Sequence, residues 1–293
     1  MPTLRANDIE ICYESFGDPD APPLLLVMGL GAQMTLWSPG FVTELLDRGF
    51  RVIRFDNRDT GLSTKTDGPP PDVLAMYAAF AAGQPIEAPY TLSLLAADAV
   101  GLLDALEIPA AHIVGASMGG MIVQTMAIEH PDRVLSLTSI MSTTGHTEVG
   151  QPDPEAMMAL LSPVPEGRAE AIEATVNTSR LISGDLFDET ESRRAATESY
   201  DRCFHPAGTM FQIAAIAASG DRTAGLEQLD VPTLVVHGRQ DPLVTLSGGE
   251  ATAKAVPGAD LLVFGKMGHD LPRAYWPQMA DAIFNIAARG EGL

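Results

Sequence analysis

The stretch "HIVGASMGGMIVQ", residues 112–124, runs from apolar residues through a cluster of small ones and straight back into apolar residues. Its first half reads as a strand and its second half, continued by "TMAIEH", as a helix. At the junction, Gly115-Ala116-Ser117-Met118-Gly119 fits the pattern G-x-S-x-G, in which a serine occupies a sharp strand-to-helix turn that only small neighbours permit. A serine placed there projects its hydroxyl at the carboxyl end of the strand, and the helix N-terminus favours negative charge developing beside it. A Gly-rich turn with an incidental serine would carry the same letters, so the surrounding chain must decide between them.

Working outward, "LLLVMG" (24–29) is a continuous apolar run, as expected of a strand covered on both faces, and "RVIRFDN" (51–57), "VLSLTSIM" (134–141), "TLVVHG" (233–238) and "LLVFG" (261–265) read as further strands. Between them lie segments of helical spacing. "FVTELLDRGF" follows a Ser38-Pro39 start and ends at Gly49; "LSLLAADAVGLLDALEI", "SGGEATAKAV" and "WPQMADAIFNIAA" supply the others. Ahead of them, "TLRA" and "IEICYESF" flank Asn7-Asp8 and suit a hairpin at a sheet edge. Alternation of strand and helix implies a mostly parallel central sheet flanked by helices, an α/β fold.

After the sixth strand the alternation stops. Residues 143–228 are rich in Met, Ala and Glu, include Pro152, Pro154, Pro163 and Pro165, and show helical but no strand patterning. A segment this long is not expected to be a bare loop, so it reads as a helical cap inserted into a core formed by 1–142 and 229–293.

A serine hydroxyl needs a base before it can act as a nucleophile, and the chain has six histidines. His112 and His130 bracket the serine's own strand and helix and are poorly placed to turn back on it. His146 and His205 fall in the insertion, and His237 ends a strand, where a structural role is expected. His269, on the loop after the last strand in "LLVFGKMGHDLP", is the candidate base, because loops at strand carboxyl ends gather on one rim of an open parallel sheet. The histidine in turn needs a carboxylate to hold its tautomer. Asp241, just past "TLVVHG", sits on the same rim; "STTGHTEVG" after the sixth strand offers only Glu148, and Asp270 beside His269 reads as solvated. For an oxyanion, the backbone N–H groups of Met118 and of Leu30, between Gly29 and Gly31, are the candidate donors. Met28, Met34, Trp37, Met157 and Met158 are candidates to line a substrate pocket, with ordinary core packing as the competing reading.

Composition narrows the field. With 46% hydrophobic and 19% charged residues the chain suits a globular enzyme, and a net charge of -20 leaves no basic stripe for nucleic acid or anionic lipid. Cys12 and Cys203 form no metal-ligand cluster or disulfide framework, so neither metal nor cofactor is expected. The start of the chain lacks a signal-peptide pattern and no window is long enough to span a membrane; a cytoplasmic monomer or homodimer acting on a small molecule is the expectation.

The order Ser117, Asp241, His269 and the segments around them make the chain resemble the α/β-hydrolase superfamily over nearly its whole length. "LLLVMG", "RVIRFDNRDTGLST", "HIVGASMG" and "MGHDLP" together are similar to the aclacinomycin methylesterase group. Many superfamily members carry His-Gly where this chain has Met28-Gly29, and the Met-Gly form also occurs in that group. The resemblance implies hydrolysis of a carboxylic ester, such as a methyl ester of a hydrophobic molecule, through an acyl-enzyme, with Ser117 as nucleophile, His269 as base and then acid, and Asp241 orienting it. In the same stretch Asp56, Arg58 and Gly61 read as structural. A lactone or a carbon–carbon bond beside a carbonyl could serve the same triad, and the fold also accommodates small-molecule receptors without turnover.

Overall fold

The computed structural model describes residues 1–72, 75, 76, 79, 84 and 86–291. Among these, eight strands form one sheet: β1 (Thr3–Ala6), β2 (Ile9–Phe16), β3 (Pro23–Val27), β4 (Arg51–Phe55), β5 (Ala111–Ala116), β6 (Val134–Ile140), β7 (Thr233–Gly238) and β8 (Asp260–Phe264). Their spatial order is β1-β2-β4-β3-β5-β6-β7-β8. The first two pair antiparallel across Asn7 and Asp8, which take φ of 47° and 64°, the left-handed pair that a tight two-residue hairpin requires. β2 runs antiparallel to β4, and every later pairing is parallel.

The apolar runs follow from burial on both sides. Leu25, Val27, Ile53 and Ile113 face one layer, with α2 (Leu92–Ala105) and α3 (Met118–Glu129). Leu24, Leu26, Val52 and Val114 face the other, against α1 (Pro39–Leu46) and α10 (Trp276–Glu291). Successive residues of a strand point to opposite faces, so a strand between two helical layers is buried on both, as the uninterrupted Leu24–Val27 run shows; other strands bury polar residues such as Arg54 and Ser139, which are hydrogen-bonded. Ser38 stands at the N-cap position of α1 as expected, but its side chain makes no capping hydrogen bond; Gly49, at φ 88°, lies three residues past the helix end.

Between β6 and β7 the chain forms α4 (Pro154–Leu161), α5 (Arg168–Ile182), α6 (Glu189–Arg202), α7 (Ala207–Ser219) and the single turn α8 (Thr223–Leu226), with α9 (Leu246–Ala255) following β7. Their own apolar core is small, centred on Ile172, Val176 and Ala196 where α5 meets α6. Polar anchors hold them to the sheet. Arg202, at the end of α6, pairs with the fully buried Asp56 at 2.7 Å. Asp56 also accepts the N–H groups of Met34 and Leu62, each at 2.9 Å, and Arg58 pairs with Asp98 at 2.6 Å, which matches the structural reading of this segment.

After β4 the chain crosses through α2 to β5, on the other side of β3. This reversal of direction opens a crevice at the carboxyl ends of the strands, where ligands bind in open α/β sheets. Among the described residues no helix is long and apolar enough to cross a membrane.

Candidate active site

Ser117 sits between β5 and α3 with φ 57° and ψ -121°, a backbone conformation that costs a non-glycine residue energy and persists only where the surroundings enforce it. They do so here by close approach. A Cβ on Gly119 would collide with the carbonyl of Val27 in β3, and one on Gly115 would collide with the carbonyl of Gly119. The Ser117 N–H is fixed to the carbonyl of Ile140 at 2.9 Å. Small residues around the serine are therefore a requirement of this turn.

His269 and Asp241 reach the same point from two other strand ends. His269 Nε2 lies 2.9 Å from Ser117 Oγ, and its Nδ1 lies 2.8 Å from Asp241 Oδ2. An ionised carboxylate can only accept, so Nδ1 carries the ring proton and Nε2 is left to accept from the serine hydroxyl. Asp241 is itself buried, and its other oxygen accepts the N–H groups of Leu243 and Val244 at 2.9 Å each. These bonds form a tight turn after β7 that aims the carboxylate at the histidine. His237 lies beneath, with Nε2 donating to the Val244 carbonyl at 2.8 Å; burial lowers its pKa and keeps it neutral, consistent with a structural role.

Asp270 departs from the sequence reading. It is partly buried instead of solvated, and burial raises its pKa while hydrogen bonds from Gly268, Ser183 and Gly184 counter that shift. The Gly268 N–H donates to it at 3.0 Å, so Asp270 ties the histidine loop to the end of α5. Adjacent residues here serve opposite sides of one loop, which sequence proximity cannot reveal.

The turn after β3 passes directly over the serine: a Cβ on Gly29 would sit 3.0 Å from Ser117 Cβ. Asn57 Nδ2 donates to the Met28 carbonyl at 2.9 Å, which holds the turn from the β4 side. Leu30 follows on this turn, and Met118 is the first residue of α3, where an N–H has no intrahelical acceptor.

Above the serine is a cavity of about 1240 Å³ between the sheet and the inserted helices. Met28, Leu30, Met118, Met121 and Met157 line it, with Trp276 from α10. Three of the expected pocket residues lie elsewhere. Met34 and Trp37 are fully buried in the core, Trp37 stacked on Phe41 at 5.7 Å, and Met158 is 72% exposed on the outer side of α4. Core and cavity walls demand the same apolar residue types, and neighbours on a helix point about 100° apart, so composition could not separate them. Of the other histidines, His205 contributes to the cavity wall, His112 is buried with Nδ1 2.9 Å from Ser136 Oγ, and His146 accepts the Glu148 N–H at 3.2 Å.

Comparison with known proteins agrees with this architecture. A family model described as the alpha/beta hydrolase fold matches residues 22–272. The chain is 31% identical to rhodomycin D methylesterase DnrP of Streptomyces peucetius, covering 97% of each chain, and 28% identical to 3-oxoadipate enol-lactonase 2 of Acinetobacter baylyi, covering 85% and 82%. Among solved structures, a meta-cleavage product hydrolase from Pseudomonas fluorescens IP01 superposes with a TM-score of 0.77 over 99% of this chain and 98% of its own, at 20% identity, a likeness of fold alone. A serine on a strained strand-to-helix turn, the eight-stranded sheet and the sequence match over most of the chain have one common explanation: this protein belongs to the α/β-hydrolase family.

Proposed function

We propose that the protein is a serine hydrolase that cleaves a carboxylic ester of a hydrophobic molecule through an acyl-enzyme. The observation that carries this reading is the unbroken contact from Ser117 Oγ through His269 to Asp241, at 2.9 and 2.8 Å, on the floor of a mostly apolar cavity. The methylesterase relatives support a carboxylic ester hydrolase independently.

His269 Nε2 takes the Ser117 proton as Oγ attacks the ester carbonyl, and Asp241 stabilises the imidazolium that forms. The N–H groups of Leu30 and Met118 receive the oxyanion, a stabilisation worth roughly 3–4 kcal/mol per donor in such sites. His269 then protonates the departing alkoxide; the alcohol leaves, and water, activated by the same imidazole, releases the acid and restores Ser117. A cavity of about 1240 Å³ exceeds the few hundred to roughly 1,000 Å³ of most small-molecule pockets, which supports a bulky substrate such as the methyl ester of a polycyclic acid. An enol-lactone presents the same carbonyl to the same groups, and the similarity to an enol-lactonase makes lactones the second class to test.

The experiment is labelling with a fluorophosphonate, mapping of the adduct, and hydrolysis of p-nitrophenyl esters from acetate to decanoate. Ser117→Ala is expected to lower turnover on the order of 10⁶-fold and abolish labelling. Wild-type rates in the variant would refute the mechanism, and labelling without turnover of any ester or lactone would point to a receptor.

A further inference from the structure

One fully buried amide outside the proposed triad joins the turn that carries Leu30 to the turn after β4. Gln212 lies in the middle of α7, in the segment inserted between β6 and β7, and none of its surface reaches solvent. Its Oε1 accepts the N–H of Gly31 at 2.7 Å. Its Nε2 donates to the carbonyl of Arg58 at 2.9 Å and to Thr60 Oγ1 at 2.8 Å. The amide therefore bridges the turn after β3 to the turn after β4, and it reaches them from a third element.

We propose that Gln212 is a positioning residue that couples the seating of α7 to the oxyanion turn, so that Leu30 presents its N–H to the reacting carbonyl only while α7 is docked. This rests on the reading of Leu30 as an oxyanion donor. Three observations converge on it. Gly31 is the residue directly after Leu30, so its bond to Gln212 fixes the Leu30–Gly31 peptide, which meets at the Leu30 Cα the Gly29–Leu30 peptide that carries the Leu30 N–H; that second peptide is held in the same turn by its carbonyl, which accepts the Ala32 N–H at 3.2 Å. Gly31 holds φ 64°, a left-handed conformation open to glycine, and packs so tightly on α7 that a Cβ there would sit 2.6 Å from Thr209 Oγ1. Gln212 has both ends satisfied in one orientation only, because a flipped amide would set its NH2 against the Gly31 N–H and its oxygen against the Arg58 carbonyl.

The consequence is specific. α7 also lines the cavity through Thr209, Ile213 and Ile216. A substrate that fills the cavity and presses against this face stabilises the docked helix and, through Gln212, the donor geometry. Donor placement is demanding: a displacement of about 1 Å can cost roughly 100-fold in rate.

The test compares the parent protein with Gln212→Leu, which removes all three bonds at similar volume, and Thr60→Val, which removes one of them at nearly equal volume. Two readouts are taken: hydrogen exchange at the Gly31 amide, and p-nitrophenyl butyrate kinetics with inhibition by octyl trifluoromethyl ketone, whose adduct places an oxyanion in the hole. In Gln212→Leu, faster Gly31 exchange is expected, with kcat lower by about 10–100-fold, KM within about threefold, and ketone affinity reduced in proportion to kcat. Thr60→Val should shift the same quantities in the same direction by a smaller factor. Unchanged ketone affinity in a folded Gln212→Leu protein, whatever its kcat, overturns the proposal, as does an unchanged Gly31 exchange rate. If Gln212→Leu does not fold, unchanged ketone affinity in Thr60→Val overturns it. A parent that neither turns over esters nor binds the ketone refutes the esterase reading instead, and the positioning role of Gln212 with it, leaving the exchange result as a structural one.

Discussion

The backbone N–H of His269 donates to the carbonyl of Ile182 at 2.7 Å, which joins the proposed catalytic base to the last residue of α5. Gly184 lies two residues further on, packed so closely on the histidine loop that a Cβ would come 2.7 Å from the Gly268 nitrogen and collide with the Lys266 carbonyl. Both neighbours are backbone and cannot yield by changing rotamer. Gly184→Ala should therefore displace the loop and lower kcat by about 10–100-fold, with a smaller change in KM. Ester kinetics and the rate of fluorophosphonate labelling at Ser117 check this; a kcat within twofold of the parent would show that the loop has slack.

Gly119 tests the elbow itself. The expected collision of a Cβ with the Val27 carbonyl, and its approach to the Met28 carbonyl at 2.9 Å, predicts that Gly119→Ala loses about 3 kcal/mol or more of stability, or fails to accumulate as folded protein. A Cβ on Gly265 would meet nothing within 4 Å, so Gly265→Ala should stay within about 0.5 kcal/mol of the parent in urea denaturation.

The Arg202–Asp56 pair gives a prediction about how the inserted helices are held. Both side chains are largely or wholly shielded, so removing one leaves a buried charge without its counter-charge. Arg202→Met is expected to destabilise by about 3–5 kcal/mol, and adding Asp56→Asn should recover part of that loss. Denaturant unfolding of the two single variants and the double variant measures the coupling. Additive effects would mean that the pair contributes little beyond its separate hydrogen bonds.

His112 predicts a pH dependence of stability. Burial pulls its pKa from 6.5 down to about 4. As pH falls below 6.5 the unfolded chain takes up a proton that the folded one refuses, so the free energy of the unfolded state falls relative to the native state. Stability is fully present above pH 6.5 and falls by about 3 kcal/mol on reaching pH 4 from this group. His237 and His205, whose pKa values burial also lowers, add in the same direction. His112→Gln should flatten the profile over this window, as read from urea midpoints at several pH values. An unaltered slope would place the sensitivity elsewhere.

How much of this was legible beforehand depends on whether the information was local. The central strand Leu24–Val27 was legible because burial on both faces favours an unbroken apolar run, and the other parallel strands were legible from their alternation with helical segments. The elbow at Ser117 was legible because a strained turn excludes side chains, leaving Gly115 and Gly119 as its mark. The rim positions of Asp241 and His269 followed from strand order, since every parallel strand delivers its following loop to the same end.

The pocket was less so. Met34 and Trp37 are buried away from the cavity, Met28 and Met118 are buried where the core borders it, and all four obey the same preference for apolar surroundings. Met157 and Met158 differ by one helical step, with one turned inward and the other outward. Asp270 and Gln212 carried no signal, because their partners lie in segments distant along the chain or on the far side of a loop. By itself the sequence determined the layered α/β architecture and the identity of the candidate triad, because both rest on periodicity and on local backbone demands. Only the tertiary structure decided which apolar residues bound a cavity and which buried polar groups grip the turn after β3 and the histidine loop, because those outcomes depend on how α5 and α7 dock against the rim, and docking is a property of surfaces that no single segment contains.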